Sequence, residues 1–306
     1  MSHDLDFSKG KPAMAYVGAK PWHGLGEELA PGQPIDVWAK AAGLDWDIQM
    51  LPVHYFIGDQ PLLMPDRFVL ARSDTRKALS VVSDEYTPVQ PREILEFYKE
   101  LVLKRQYTLE TAGALDGGRK IWALARTGLV ANVGGNPADT LGAFVLLATS
   151  CDKSLATTVT FTSVRVVCQN TLNFAVKDMK SESRRSIKVN HSQRLNVDAI
   201  HAELGLMDAS WESFKQKLTP MANVKLNSTA ARDFFLNLLL TPKEKEDGRF
   251  SDKKSREITL LLSLFNSAPG QDIATAKGTL WGAVNAVTYF VDHVRSGATE
   301  RMDSAW

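Results

Sequence analysis

Cysteine is scarce: two residues, Cys151 and Cys168, in a chain of 306. They are too few for a disulfide framework and point to a reduced protein in which both are small buried hydrophobes. Long apolar runs are missing as well. The longest, around 260–265 and 144–148, fall far short of the roughly 20 residues that span a bilayer. The amino-terminal stretch lacks the apolar core of a signal peptide. The expectation is a cytoplasmic protein of a bacterial host cell, away from membranes. Net charge is only +1, so no global excess draws the chain to nucleic acid. Any such preference has to come from local clustering.

Catalytic signatures are absent too. No GxGxxG follows a strand, and P-loop, HExxH, GxSxG and paired CxxC patterns are missing. The histidines (His3, His23, His54, His191, His201, His293) are scattered, none at helical spacing from another, so neither a metal site nor a cofactor is signalled. Asp292 and His293 could form an acid–base pair, but no nucleophile accompanies them. A non-enzyme is expected.

What is present is a segregated pattern. Residues 1–35 are punctuated by glycine and proline and read as a loop or arm. Asp36 caps a short helix over 37–42, ended by Gly43. A strand over 47–57 precedes a turn at Gly58 and Asp59, and 67–72 with 78–82 form a hairpin. Pro91 opens a helix whose buried face carries Ile94, Leu95, Tyr98, Leu101 and Val102. Two more hairpins follow, 107–115 with 120–126 and 144–150 with 156–167. A helix begins near Leu172. From about residue 195 the spacing is helical: 197–206, 211–218, 229–240, 255–266 and 280–294, with a polar connection over 241–254. Strands and helices that are segregated, not alternating, predict an α+β fold. The layout is antiparallel hairpins around a central helix over 36–176, a basic linker over 177–194 and an all-helical region over 195–306.

The richest chemistry lies mid-chain. Lys153, Arg165, Gln169, Asn170 and Asn173 stand among many hydroxyls between Thr149 and Thr171. On a strand Arg165 faces opposite to Val164 and Val166, so burial of the valines would turn it towards solvent or a groove. Such donors suit phosphate oxygens, which fix position and not sequence. They equally suit the polar outer face of a half-exposed sheet. Directly after them, residues 177–194 hold Lys177, Lys180, Arg184, Arg185, Lys188 and Arg194 against Asp178 and Glu182. This basic strip reads either as an electrostatic funnel for a single strand or as a solvated linker. Arg72, Arg76, Lys77, Arg119, Lys120 and Arg126, on or beside the hairpins, are candidates for the same surface. Trp22 and His23, followed by Gly24 and Gly26, form either a loop that docks on a neighbouring subunit or stacks on a base, or a plug for the domain's own core edge.

Three ordered motifs carry a family likeness. They are residues 21–26 (Pro-Trp-His-Gly-Leu-Gly), the central Thr149-Ser150 with 165–172, and the late 280–283 with 289–293. Together they resemble the phage- and plasmid-borne proteins of domain of unknown function 932, over nearly the whole chain. The resemblance implies a mobile-element setting and says little about activity. The layout is also similar to that of RecT- and Redβ-type single-strand annealing proteins, which assemble as rings or filaments with a strand in a basic groove. That likeness is one of fold pattern alone.

Taken together, these readings predict a non-catalytic single-stranded DNA-binding or annealing protein of phage or plasmid recombination, acting as a homo-oligomer. Lys153, Arg165, Arg184, Arg185, Lys188, Arg119 and Lys120 would contact phosphates with help from Gln169 and Asn170, and Trp22 and His23 would contact a neighbouring copy. The alternative is a protein-interaction factor, such as an inhibitor of a host defence enzyme, whose partner is a host protein.

Overall fold

A computed structural model describes residues 4–105, 107–167, 169–177, 186–191, 211–212 and 215–291. The predicted α+β class is what is found. Strands occupy β1 (Met14–Tyr16), β2 (Glu27–Glu28), β3 (Ile48–Ile57), β4 (Gln60–Arg72), β5 (Ala78–Ser83), β6 (Thr108–Leu115), β7 (Lys120–Asn132), β8 (Thr140–Ser150), β9 (Thr157–Thr162) and β10 (Ser186–Val189). Helices are α1 (Ile35–Ala41), α2 (Pro91–Arg105), α3 (Gln169–Lys177), α4 (Ser228–Leu239), α5 (Pro242–Asp247), α6 (Asp252–Ser267) and α7 (Leu280–Tyr289). Residues 215–223 are also helical.

Seven strands form the main sheet in the order β10-β9-β8-β7-β6-β1-β2, antiparallel except for the parallel β1–β2 pair. Both of its faces are covered, which is why its central strands are nearly continuous apolar runs. On β7, Ile121, Ala123 and Ala125 enter a core shared with α1, α2 and Trp281. The alternate Trp122 and Leu124 enter a second core with Leu5, Val166, Val167, Leu172 and Ala175. From α2, the fully buried Tyr98 hydroxyl reaches the carbonyls of Ala123 at 2.7 Å and Val145 at 3.0 Å, locking the helix across β7 and β8. Gly113 on β6 is required where Trp122 crosses it: a Cβ there would stand 2.4 Å from the indole and 2.5 Å from the Ala13 carbonyl oxygen.

A separate three-stranded meander, β3-β4-β5, packs one face inward. Met50, Phe68 and Leu70 join the first core, and the alternate Leu51 and Val81 stay exposed. Beyond Pro52 the β3–β4 pair continues alone as a two-stranded ribbon to its turn at Gly58 and Asp59.

The carboxy-terminal helices α4, α6 and α7 bury Phe235, Ile258, Leu261, Phe265, Val287 and Phe290 among themselves. They dock on the sheet through Asp139, which lies in the β7–β8 connection. Its carboxylate accepts from the Trp281 indole N–H at 2.9 Å and from the Thr275 hydroxyl at 2.5 Å.

Several boundaries differ from those read in the sequence. The first 35 residues contain β1 and β2 and are built into the sheet. The expected strand 156–167 ends at Thr162, because 163–167 leave the sheet and cross its face towards α3. The polar connection carries α5, opened by a capping box between Thr241 and Glu244. The expected helix over 197–206 lies outside the described residues.

Candidate nucleic-acid interface

Glu110 sits in β6 with 5% of its surface exposed. A carboxylate so enclosed needs compensating cations and donors, and two arginines supply them. Arg126 offers Nε at 3.1 Å and Nη2 at 3.0 Å, with its guanidinium 5.0 Å from the centre of the Phe144 ring. Arg165 offers Nε at 2.7 Å and spends its remaining donors on the carbonyls of Ala19 at 2.6 Å and Val17 at 3.0 Å. The expectation that Arg165 opens towards a groove is therefore corrected. It clips the amino-terminal segment to β6 and shares the one Glu110 carboxylate with Arg126.

Arg72 is removed from the surface altogether, at 1% exposed. It bonds both oxygens of Asp74 at 2.9 Å, forms an ion pair with buried Asp6, and lies 4.1 Å from the centre of the Trp46 ring. Lys9 joins the same network through Asp74 at 3.1 Å and Asp45 at 2.7 Å. Burial alone would raise the Asp74 pKa, but hydrogen bonds and charge from Arg72 and Lys9 outweigh it and hold the carboxyl at about 2. A carboxyl with a lower pKa folded than unfolded binds fewer protons in the native state. Its contribution is full above about pH 4 and is lost as pH falls through about 2. Denaturation midpoints are therefore expected to fall across that window, and the fall should be smaller in Asp74→Asn.

Arg119 also has a local partner, the Asp116 carboxylate at 3.3 Å, and donates to the Leu79 carbonyl at 3.2 Å. It stays half-exposed beside Asp116, which offsets its charge locally. The threonines of β9 do not form a donor face either. Thr158, Thr160 and Thr162 are buried, with hydroxyls engaged on nearby backbone, and Thr149 pairs with Thr157 at 2.8 Å. Both proposed uses of that hydroxyl run, phosphate contact and solvated outer face, give way to burial.

Three lysines behave differently. Register places them at one end of the main sheet: Lys120 is opposite Ser150, the last residue of β8. Lys153 lies in the β8–β9 turn, and Lys188 is opposite Thr158, the second residue of β9. Lys153 and Lys188 are exposed. Lys120, half-buried, donates to the Gln169 side-chain oxygen at 3.3 Å, and Gln169 in turn donates to Asn173 at 2.7 Å, so the first turn of α3 faces the same corner. Asp152 is the acidic member of this corner. Burial would raise its pKa, yet hydrogen bonds from Ser154 and Ser150 and the Lys120 charge hold it below the ordinary carboxylate value. Among the described residues β10 is the outermost strand, bonded to β9 alone. Asn170 falls on α3, and Arg184 and Arg185, just before β10, lie outside the described residues.

His23 is a clip and not a free contact. Its Nδ1 accepts from the Leu25 N–H at 3.1 Å, so Nε2 carries the hydrogen and donates it to the Val167 carbonyl at 3.0 Å. Trp22 packs edge-on against it, ring centres 5.2 Å apart, with 37% of its surface exposed. Cys151 is buried, and burial pushes its thiol up to about 12. At pH 8 it is expected to resist alkylation in the native protein and to label on denaturation, read by mass mapping of its peptide.

The sequence reading missed the acids. Glu110 and Asp6 set where arginines go and Asp139 sets where Trp281 goes, and only Glu110, an acid inside an apolar strand, carries a local signal of that role.

No described helix is long and apolar enough to cross a membrane. The sequence model of the family described as "Domain of unknown function (DUF932)" matches residues 78–306. No curated protein and no solved structure matches the chain.

Proposed function

Starting from a chain that belongs to the DUF932 family, we propose that it is a non-catalytic single-stranded DNA-binding protein of phage or plasmid recombination, acting as a homo-oligomer. The strand runs along the β10 edge of the main sheet. Lys153 and Lys188 contact phosphates there, with Lys120 and Gln169 at the adjoining corner and the basic run 177–194 leading into β10. The observation that carries this reading is the gathering of those three lysines at one sheet end, while the arginines beside them are held by Glu110, Asp6, Asp74 and Asp116. Phosphate contacts of this kind position a strand without reading its sequence.

The test is a mobility shift at low salt with single- and double-stranded oligonucleotides. A complex with the single strand is expected for the wild type, weakened tenfold or more by the double substitution Lys153→Glu with Lys188→Glu. Absence of any complex with the wild type, or equal binding by the double variant, would remove the proposal. A protein-interaction factor, for example an inhibitor of a host defence enzyme, is the second reading. It is favoured by the apolar ribbon at the end of β3 and β4.

A further inference from the structure

Pro21 to Gly24 form a closed turn. The Gly24 N–H donates to the Pro21 carbonyl at 2.9 Å, and Gly24 takes the positive φ of 72° that ends it. Trp22 and His23 are its two corner residues. His23 is tied at both ring nitrogens, to the Leu25 N–H and the Val167 carbonyl, and Arg165 holds the approach through the carbonyls of Val17 and Ala19. The indole is therefore presented from a fixed base, with 37% of its surface exposed. On a side chain of roughly 250 Å² that is on the order of 90 Å², enough area to receive a base.

This turn adjoins the lysine corner. Val167, which His23 grips, lies two residues before Gln169, the partner of Lys120. Neither segment that meets there carries an acid: residues 17–26 hold Lys20, and residues 153–176 hold Lys153 and Arg165. Lys20 lies along the turn itself, since a Cβ on Gly24 would stand 3.8 Å from its Cε. Glu110, the acid that Arg165 reaches, is shared by two arginines. An aromatic plane flanked by cations suits a nucleotide, with the base on the ring and the phosphates beside the lysines.

We propose that Trp22 stacks on an unpaired base of the strand held at the lysine corner. The inference rests on the single-strand reading and extends its path from Lys120 and Gln169 to the amino-terminal turn. A duplex offers no such base, because both faces of its bases are already stacked. Stacking uses the π-face that every base has, so it brings no sequence preference. An indole contact releases no counterion, which separates its signature from that of a lysine.

Fluorescence anisotropy tests it, with labelled oligothymidine and an abasic strand of equal length titrated with the full chain at three salt concentrations. Trp22→Ala is expected to weaken oligothymidine binding about tenfold at every salt, with the wild-type salt slope kept. Trp22→Phe should recover most of that loss. Wild type and Trp22→Ala should bind the abasic strand alike, whereas a distorted corner would weaken both strands. Equal oligothymidine binding by Trp22→Ala and wild type, an equal loss on both strands, or a shallower slope would each overturn the stack. Sedimentation velocity of the same samples covers the other occupant. A wild-type oligomer that Trp22→Ala dissociates, with no dependence on the base, would assign the ring to a second copy and overturn the stack too. Binding that needs Lys153 and Lys188 but not Trp22 overturns the stack and keeps the DNA reading. No complex with either strand removes both.

Discussion

Arg72→Ala is expected to lower the unfolding free energy by about 3–5 kcal/mol, the cost of leaving a buried acid without its cation. The guanidinium is 1% exposed and is the shared partner of Asp6, at 4%, and of both oxygens of Asp74. It joins three regions far apart in the chain: the amino-terminal segment through Asp6, the meander through β4, and the β6–β7 turn through the Gly117 carbonyl at 3.3 Å. Removal strands the Asp6 carboxylate, leaves Asp74 with Lys9 alone and empties the space against Trp46. If the loss comes from those stranded charges, Arg72→Met with Asp6→Asn and Asp74→Asn should recover part of it, because a neutral replacement of a buried network is often tolerated. Urea denaturation of the single and triple variants measures both. A single variant within 1 kcal/mol of wild type would contradict this role.

Gly282→Ala is the second large effect, about 3 kcal/mol, at the upper end for an overpacked site. Gly282 lies in the first turn of α7, where a Cβ would meet the Ala276 carbonyl oxygen at 2.0 Å and the Gln271 side-chain oxygen at 2.8 Å. Both neighbours belong to the turn that holds α7 against Asp139. Gln271 also donates to the Gly282 carbonyl at 2.7 Å, so it cannot swing away without losing that bond. Relief requires α7 to shift, taking Trp281 off Asp139. The loss should exceed that of Thr279→Ala, which removes the cap on the Gly282 N–H (3.1 Å) and the hydroxyl's bond to the Thr275 carbonyl (2.7 Å), together worth about 1–2 kcal/mol. Thermal or chemical denaturation ranks the two, and equal losses would contradict the packing account.

The class of fold was legible because periodicity reports burial. The run 121–125 is apolar on both faces and lies between two cores, and the 3.6-residue spacing after 228 yields the helices that share Phe235, Ile258 and Phe265. Pro61 and Pro65 hid the first half of β4, which tolerates them because the ribbon has no third strand there. The strands β1 and β2 were hidden by their brevity among turn-forming residues. Charge was the least legible. Arg165 finds its carboxylate 55 residues away and Arg126 finds the same one at 16, and no local pattern tells which cations such an acid will claim. Lys153 and Lys188 kept their surface positions because a tight turn and an edge strand leave a long cation little to bury against.

Salt dependence of single-strand affinity tests the central claim most directly, namely that the lysine corner carries phosphate contacts and the arginine clips do not. The logarithm of the binding constant should fall linearly with the logarithm of salt, at roughly 0.7 per neutralised phosphate. Replacing Lys153 and Lys188 together by alanine should make that slope shallower by about 1.4, whereas Arg126→Ala should leave it unchanged. A slope that flattens with Arg126 and ignores the two lysines would contradict the account.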